Sequence, residues 1–463
     1  MTLAQVSSGS DIVRKFRRSK SGMAGVMLLL ALVMMSVYAA AAVPLESFRQ
    51  WNNPTIWIDL PKSAAPQWTD IGFGPKMPRH IVLGQSDADV STSLDAGVKT
   101  VTHSYSIDFN YDTYPNDFML LYSAKYGATP PILQVDFVRP DGHEFQIYYA
   151  ALPSSQQASQ EISRRIYSTD RSIESNLRSD SSRFSYRQDA SAPQIMIFSD
   201  LDEAKVLKGT YVIRQTFLLF DPSDTVTDSG VILGGKVYGI MGTDDLRRDL
   251  SIGILWGAPV ALFIGLTVAI AGVVIGLIYG VVAGYKGKRT DEGLMRINDI
   301  FYSLPTLPIL VILSVTIGSK LLLITGFLVI FGWVGMAKIS RSISLQLKNM
   351  PYVEASKLMG QSDSKIIFRH IIPQLLPLTF ASIAISVPGA ILGEATLSFL
   401  GLSDPSIPTW GQILHDANEA GAASRGIWWW IVPPGLMIAL TGLAFVLIGN
   451  ALDAIVNPRK RRI

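Results

Sequence analysis

The sequence predicts an all-α polytopic membrane protein with six transmembrane helices and an inserted extracytoplasmic domain of α+β or mostly-β class. Three observations predict this architecture. Long uncharged apolar runs recur along the 463 residues, of which 48% are hydrophobic and 17% charged. Roughly 200 residues between the first two runs are polar and contain strand-like alternation. Lys and Arg concentrate in the segments that six spans would place on one side of the membrane.

The spans follow from runs close to the length of about 20 apolar residues that a bilayer demands. A cleaved signal peptide is an alternative for the first run, 22–43, because a basic stretch precedes it and small residues end it. Its length and the later return to the membrane favour a retained span. The run 304–337 breaks at Gly318, Ser319 and Lys320, which predicts two spans joined by a tight turn. The predicted segments are an N-terminal tail (1–21), span 1 (22–43), the insert (44–241), a lead-in (242–251), span 2 (252–284), a loop (285–303), span 3 (304–318), span 4 (320–337), a loop (338–373), span 5 (374–399), a loop (400–426), span 6 (427–452) and a basic tail (453–463).

Charge predicts the orientation of these spans. Basic residues cluster in the N-terminal tail, in the loops after spans 2 and 4 and in the C-terminal tail. The positive-inside rule therefore predicts a multi-pass protein of the cell membrane with both termini in the cytoplasm. Residues 44–250 are then extracytoplasmic, and they carry 19 basic and 26 acidic residues, a net charge of −7.

The insert alternates polar and apolar residues in several places. Residues 100–112 and 209–221 are predicted strands, and 132–152 form a predicted hairpin that turns at Pro140-Asp141-Gly142. Residues 155–182 are polar and are predicted to be helical. Its histidines, His80, His103 and His143, are too far apart in sequence to suggest a metal pair, so they are interpreted as surface or core residues and no metal site is predicted.

No catalytic motif appears in the sequence. The absence of cysteine excludes thiolate catalysis, Cys-ligated metals and disulfides. The stretch 284–290 has a Gly-Lys pair but lacks the leading glycine and following hydroxyl of a phosphate-binding loop. The chain is therefore predicted not to be an enzyme, to hold no cofactor of its own and to rely on another chain for any ATP hydrolysis.

Charge and glycine inside the spans indicate where function and packing lie. Glu394 is the charged residue that lies furthest inside a predicted span. Two roles are open for it: one in the translocation path or gate, the other a hydrogen-bonded position near the outer interface. Pro388 and Gly389 are expected to kink span 5 and free backbone groups to line a cavity. Glycines recur every fourth residue from Gly272 to Gly284 and predict close helix packing.

The charged stretch 352–377 between spans 4 and 5 is predicted to form two short helices at the membrane surface. Pro351 suits the start of the first helix and Gly360 its end. Ser362 or Asp363 is a suitable N-cap for the second helix, which we expect to end at Pro373. From these residues alone, the alternative is an amphipathic connector without a specific function.

The same stretch resembles the EAA loop of ABC importer permeases of the dipeptide and oligopeptide (peptide/nickel) family. It has Glu354-Ala355-Ser356, Gly360 at the required spacing and the ending 370–373, with mild departures at Ser356, His370 and Ile372. The stretch 242–249 resembles the family's lead-in to span 2, with Arg247 where the family pattern has glycine, and 393–414 is also similar. The resemblance assigns ATPase coupling to Tyr352, Glu354, Ala355, Ser356, Gly360, Asp363 and Pro373, and the lead-in motif to Gly242, Thr243, Asp244 and Asp249. The candidate residues for the path or gate are Glu394, Pro388, Gly389 and Trp410.

The resemblance implies a type I importer permease fold and a set of partners. These are a second homologous permease that completes a heterodimeric pore, two ATPase subunits that hold ATP and Mg²⁺, and an extracytoplasmic peptide-binding protein. Membrane lipid is the other expected contact, and no nucleic acid is expected. The alternatives are a permease for another solute, such as nickel or an oligosaccharide, and a membrane-anchored receptor that senses a ligand through the acidic insert.

Overall fold

The computed structural model describes residues 9–71, 74–95, 97–127, 129–154, 160–179, 192–203 and 205–456. Residues 457–463 of the predicted basic tail lie outside the described residues. The chain divides into two compact units, Met1–Asn53 with Ile252–Ile463 and Pro54–Ser251. We call them the helical unit and the insert unit and describe each by itself.

Among the described residues, the helical unit has three helices before the insert and ten after it. The first three are α1 (Gly9–Arg17), α2 (Lys20–Ala42) and α3 (Leu45–Arg49). The insert unit holds α4 (Pro54–Trp57), α5 (Arg171–Ser179) and α6 (Pro193–Phe198). The later helices are α7 (Leu250–Lys286), α8 (Lys288–Ser303), α9 (Thr306–Ile317), α10 (Leu321–Gly332), α11 (Val334–Leu347), α12 (Pro351–Leu358), α13 (Asp363–Ile366), α14 (Ile372–Phe399), α15 (Trp410–Glu419) and α16 (Trp428–Val456).

Within the described residues, five helical segments are long and apolar enough to cross a membrane. They are Lys20–Ala42, Leu250–Lys286, Leu321–Leu347, Asp363–Phe399 and Trp428–Ile455. A sixth arises only if α8 and α9, which are bent by 81°, are counted together. The helix α9 has 12 residues, so the predicted span 304–318 is not a straight helix of full length. Its start is fixed at Pro305, since the residue before a proline is pushed into extended backbone, as Leu304 is (ψ 132).

The glycine stripe of α7 packs closely, as predicted. A Cβ on Gly276 would lie 2.4 Å from the Trp333 carbonyl oxygen, and one on Gly280 would lie 2.1 Å from that of Ala337. Ser340 donates a hydrogen bond to the Gly276 carbonyl at 3.0 Å across the same contact. The stripe therefore brings the backbones of α7, α10 and α11 together at a distance that no larger residue allows.

The expectation that Pro373 ends the second helix of the charged stretch is wrong. Helix α13 runs through a π-helical turn, Ile367–Ile371, directly into α14. The widened turn changes the backbone hydrogen-bond register just before Pro373, which occupies the first turn of α14, where a proline's missing N–H costs little. The charged stretch and the predicted fifth span are thus one continuous helical path.

The insert unit is a sandwich of two antiparallel sheets. Its strands are β1 (Ile81–Leu83), β2 (Asp89–Asp95), β3 (Val98–Phe109), β4 (Asp117–Tyr126), β5 (Ile132–Val138), β6 (Glu144–Ala151), β7 (Gln160–Tyr167), β8 (Gly209–Leu219) and β9 (Thr225–Gly234). One sheet has the order β1-β9-β4-β7 and the other the order β2-β3-β8-β5-β6. Alternate residues of both sheets, among them Tyr105, Phe118, Phe137 and Phe217, form one buried core.

The three strand predictions within the insert are confirmed, and the helix prediction is only partly right. Residues 100–112, 132–152 and 209–221 coincide with most of β3, with the β5–β6 hairpin and with β8. The predicted helix 155–182 is a strand over β7 and a helix only over α5, with 155–159 and 180–182 outside the described residues. Pairing of β7 along β4 decides its conformation, because cross-strand contacts override local propensity.

Candidate functional site

Helix α12 has the local structure predicted from its sequence. Pro351 occupies its first turn after the N-cap Met350, where the missing N–H needs no partner. The helix ends at Leu358, and Gly360 follows with φ +79°, a conformation that strongly favours glycine. Ser362 then takes the N-cap position of α13. The chain therefore turns sharply between two short helices.

One face of α12 is anchored and the other is open. Val353 is buried in a cluster with Leu277 of α7, Met336 of α11 and Ile371 of the π-helical turn. The opposite face is exposed, and Leu358 at the end of the helix is 90% exposed. The exposed predicted coupling residues are Tyr352, Glu354, Ala355, Gly360, Asp363 and Pro373.

Two of the departures from the EAA pattern lie side by side. Ser356 is buried and donates a hydrogen bond to the Tyr352 carbonyl at 2.8 Å. His370 Nε2 approaches the Ser356 hydroxyl at 3.5 Å and Gln361 Oε1 at 3.1 Å. The turn at Gly360 is therefore braced by polar side chains from α12, from the turn itself and from the π-helical turn.

Further hydrogen bonds fasten this region to the long helices. The Tyr285 hydroxyl at the end of α7 donates to Asp363 Oδ1 at 3.1 Å. Gln374 Nε2 of α14 donates to the Tyr352 hydroxyl at 2.8 Å. Packed side chains and hydrogen bonds therefore join this region to α7 and α14.

A cavity of about 850 Å³ opens beside α12. It contains basic and acidic side chains and one strongly exposed leucine. Its lining residues are Tyr285, Lys286, Lys348, Asn349, Val353, Glu354, Lys357, Leu358 and Asp363. Charged side chains thus surround an exposed apolar residue beside α12.

Glu394 is 4% exposed and belongs to a buried polar chain at the other end of α14. Ser398 donates to Glu394 Oε1 at 2.5 Å, and Thr409 Oγ1 lies 3.4 Å from the Ser398 hydroxyl. Thr409 in turn caps α15 by accepting the Gln412 N–H at 3.1 Å. The carboxyl group of Glu394 is therefore linked to the start of α15.

Trp410 fixes the same end of α15 against α7. Its indole N–H donates to the Ile254 carbonyl at 3.0 Å, and its ring fills the space where Gly257 has no side chain. Pro388 and Gly389 lie within α14, which continues through both as a helix. The structure thus brings Glu394 and Trp410 together around α15, with Pro388 and Gly389 further along α14.

The lead-in motif is a largely buried, hydrogen-bonded segment of the insert unit. Thr243 accepts the Ala64 N–H at 2.9 Å and donates to the Pro61 carbonyl at 2.7 Å. Asp244 forms a fully buried ion pair with Arg248, at 2.5 Å. Gly242 accepts the Leu250 N–H at 3.1 Å. Asp249 accepts hydrogen bonds from the backbone N–H and hydroxyl of Ser251, at 2.9 and 2.6 Å.

Some structural residues were not identified from the sequence. Asp404 accepts the Leu321 N–H at 3.0 Å and the Ser406 hydroxyl at 2.6 Å. Burial alone would raise the pKa of the Asp404 carboxyl, but these hydrogen bonds hold that pKa below its usual value. Arg341 of α11 pairs with Asp291 of α8 through two hydrogen bonds, at 2.5 and 2.7 Å. The Asp-x-Ser spacing at Asp404 is a signal that could have been used, whereas the Arg341 pairing has no local signal.

A metal-ion site is not indicated. No group of three or more His, Asp or Glu side chains within the described parts of the chain could hold a metal ion. The candidate site consists of helix contacts, an open cavity and buried hydrogen bonds.

Comparison with known proteins assigns the family. The family "Binding-protein-dependent transport system inner membrane component" matches residues 272–462, all of which follow the insert unit. The dipeptide transport system permease protein DppC of Bacillus subtilis is 39% identical over 222 residues, 48% of this chain and 69% of DppC. The oligopeptide permease OppC of the same organism is 37% identical, over 48% of this chain and 72% of OppC.

A solved structure is also similar at low level. A chain of the inward-facing MetNI methionine ABC transporter aligns with a TM-score of 0.36 and 21% identity, over 44% of this chain and 95% of that chain. The family assignment rests on the sequence matches, which have far higher identity. The chain belongs to the family of binding-protein-dependent transport system inner membrane components and is a permease subunit of an ABC importer.

Proposed function

We propose that this chain forms half of the translocation pore of an ATP-driven importer of dipeptides or oligopeptides. The named relatives, which are dipeptide and oligopeptide permeases, support the substrate class. The structural observation that carries the coupling role is α12, a short helix with one buried face, an exposed end and a left-handed glycine after it. The pore takes the type I importer fold and is completed by a second, homologous permease chain.

The ATPase subunits bind α12 and the cavity beside it. The exposed Leu358 and the charged cavity wall at Glu354 and Lys357 provide both apolar and ionic contacts for a partner. ATP and Mg²⁺ are held by those partner chains. Closure of the ATPases pushes on α12, and the contacts of Val353 and Asp363 pass the displacement to the long helices.

The buried chain from Glu394 to Thr409 acts at the opposite end of the path. It clamps α15 to α14, while Trp410 clamps α15 to α7. The two long helices α14 and α7 thus meet at the short helix α15, which suits a gate that opens when α14 and α7 separate. Pro388 and Gly389 supply the site at which α14 bends during that motion.

Peptide uptake by vesicles that contain this chain with its partner subunits tests the proposal. Gly360→Asp should abolish ATP-driven peptide uptake while leaving membrane insertion normal, because the left-handed turn strongly favours glycine. Gly293→Asp is a matched control, since a Cβ at either glycine meets no atom within 4 Å but only Gly360 has positive φ. Unchanged uptake in the Gly360 variant would refute the coupling role, and uptake of nickel or an oligosaccharide instead of peptide would refute the substrate class.

We propose further that the insert unit docks the external binding protein. Its separate core and net acidic charge support a recognition module that is independent of the pore. Deletion of about residues 60–235 should weaken the binding protein's affinity for the assembled transporter, as measured by surface plasmon resonance. An unaltered affinity would point to a different role for the insert.

A further inference from the structure

Three apolar side chains of the insert unit form an exposed patch. Trp68 is 50% exposed, Ile71 84% and Ile240 69%. Trp68 Nε1 donates to the Ile240 carbonyl at 2.8 Å, so the two segments that carry the patch are joined directly. We call Trp68, Ile71 and Ile240 the apolar patch.

Three backbone hydrogen bonds join the two segments that lead to the patch. Ala65 donates its N–H to the Lys236 carbonyl at 2.7 Å, Tyr238 donates to Ala65 at 2.8 Å, and Gln67 donates to Gly239 at 2.9 Å. These bonds align residues 65–67 with residues 236–239. These bonds hold the segment that leads to Trp68 against the segment that leads to Ile240.

The position of the patch in the chain brings it close to the start of α7. Ile240 is two residues from Gly242, whose carbonyl accepts the N–H of Leu250, the first residue of α7. Two Cα–Cα steps of about 3.8 Å and this hydrogen bond connect Ile240 to Leu250. The Cα atoms of the two residues are therefore separated by at most roughly 14 Å. Helix α7 is one of the helices apolar enough to cross a membrane.

The chemistry of the patch fits a lipid surface. The interfacial layers of a bilayer add roughly 5–8 Å on each side of the hydrocarbon, and tryptophan is enriched there. The indole N–H of Trp68 already has an acceptor within the protein, so its ring offers an apolar surface without an unpaired donor. Two strongly exposed isoleucines beside it are costly in water and are stabilised by contact with lipid.

We propose that the apolar patch inserts into the membrane surface and anchors the insert unit there. The partner is the lipid itself, at the depth where headgroups meet acyl chains. The insert unit is then fixed at two places, through the covalent start of α7 and through the patch. This anchoring is independent of which solute is carried.

Site-directed spin labelling of the full chain in phosphatidylethanolamine–phosphatidylglycerol vesicles tests the anchor. The chain has no cysteine, so Ile71→Cys and Ile240→Cys each give a single labelling site. Leu94→Cys is the matched control, because Leu94 on the edge strand β2 is equally apolar and 72% exposed. All three side chains are exposed, so the substitutions remove little packing.

For each spin label, the frequency of collision with oxygen, which concentrates in lipid, is compared with the frequency of collision with a water-soluble nickel chelate. Labels at 71 and 240 should collide more with oxygen than with nickel, and the label at 94 should show the reverse. Nickel access at 71 or 240 equal to that at 94 would overturn the proposal. Exclusion of both reagents from 71 and 240 would also overturn it, since that result indicates a protein partner over the patch.

Discussion

Arg247 shows how a single residue adapts a familiar motif to a large insert. Its φ of +67° is left-handed, which costs a non-glycine residue roughly 1–2 kcal/mol, and the resembled motif has glycine at this position. The guanidinium group pairs with Asp117 of β4 and donates to the Leu60 carbonyl at 2.6 Å. The side chain therefore offsets its backbone strain by fastening the lead-in motif to the sandwich.

His103 links one residue to the pH dependence of the whole sandwich. It is buried between the sheets, where its ring contacts the Ser229 hydroxyl. Burial lowers its pKa below 6.5, and the charge of Asp228 opposes this only in part. Burial is also the main cause of the lowered pKa of His80.

We expect the sandwich to lose stability as the pH falls below about 6.5. The unfolded chain takes up protons near that pH, whereas the folded sites resist them, so the free energy of unfolding falls by up to about 1.4 kcal/mol per pH unit for each histidine. Hydrogen exchange of β3 amides in the full chain, corrected for intrinsic rates, measures the effect. His103→Gln should reduce the pH dependence, and an undiminished slope in that variant would assign it to other groups.

At the scale of elements, the glycine stripe determines how the long helices pack. Gly280→Leu should prevent α7 from approaching α11, because even a Cβ at this position would lie 2.1 Å from a backbone oxygen. We expect the free energy of unfolding to fall by about 1–3 kcal/mol or more, since overpacked cores typically lose that much. Thermal unfolding of the purified chain measures this loss.

Gly335→Leu is the control for the stripe. Gly335 is also helical, in α11, but a Cβ there meets no atom within 4 Å. This variant should unfold near the wild-type temperature. Equal destabilisation by both substitutions would show that side-chain size, rather than the close backbone contact, is responsible.

The predictability of each element follows from where its conformation is decided. The start of α12 and the turn at Gly360 are set by proline and glycine chemistry within a few residues, so the sequence predicts them well. The strand β7 and the helical path through Pro373 depend on cross-strand pairing and on a π-helical turn, which leave no local pattern. The contact between Ser356 and His370 also leaves no local pattern in the sequence, because 14 residues separate them.

At the scale of the molecule, energy input and recognition are assigned to different units. The helical unit contains the family match, α12 and the buried chain at Glu394. The insert unit has its own core and carries the proposed docking and lipid contacts. The family match of the helical unit disfavours the receptor alternative.

Docking of the ATPase on α12 is tested most directly by cysteine protection. Leu358→Cys places a single thiol at a position that is 90% exposed, and Leu94→Cys in the sandwich is the control. Maleimide labelling of position 358 should fall several-fold when the purified ATPase subunits are bound, with no change at position 94. Undiminished labelling at 358 while the ATPases remain bound would contradict the assignment of α12 as the coupling helix.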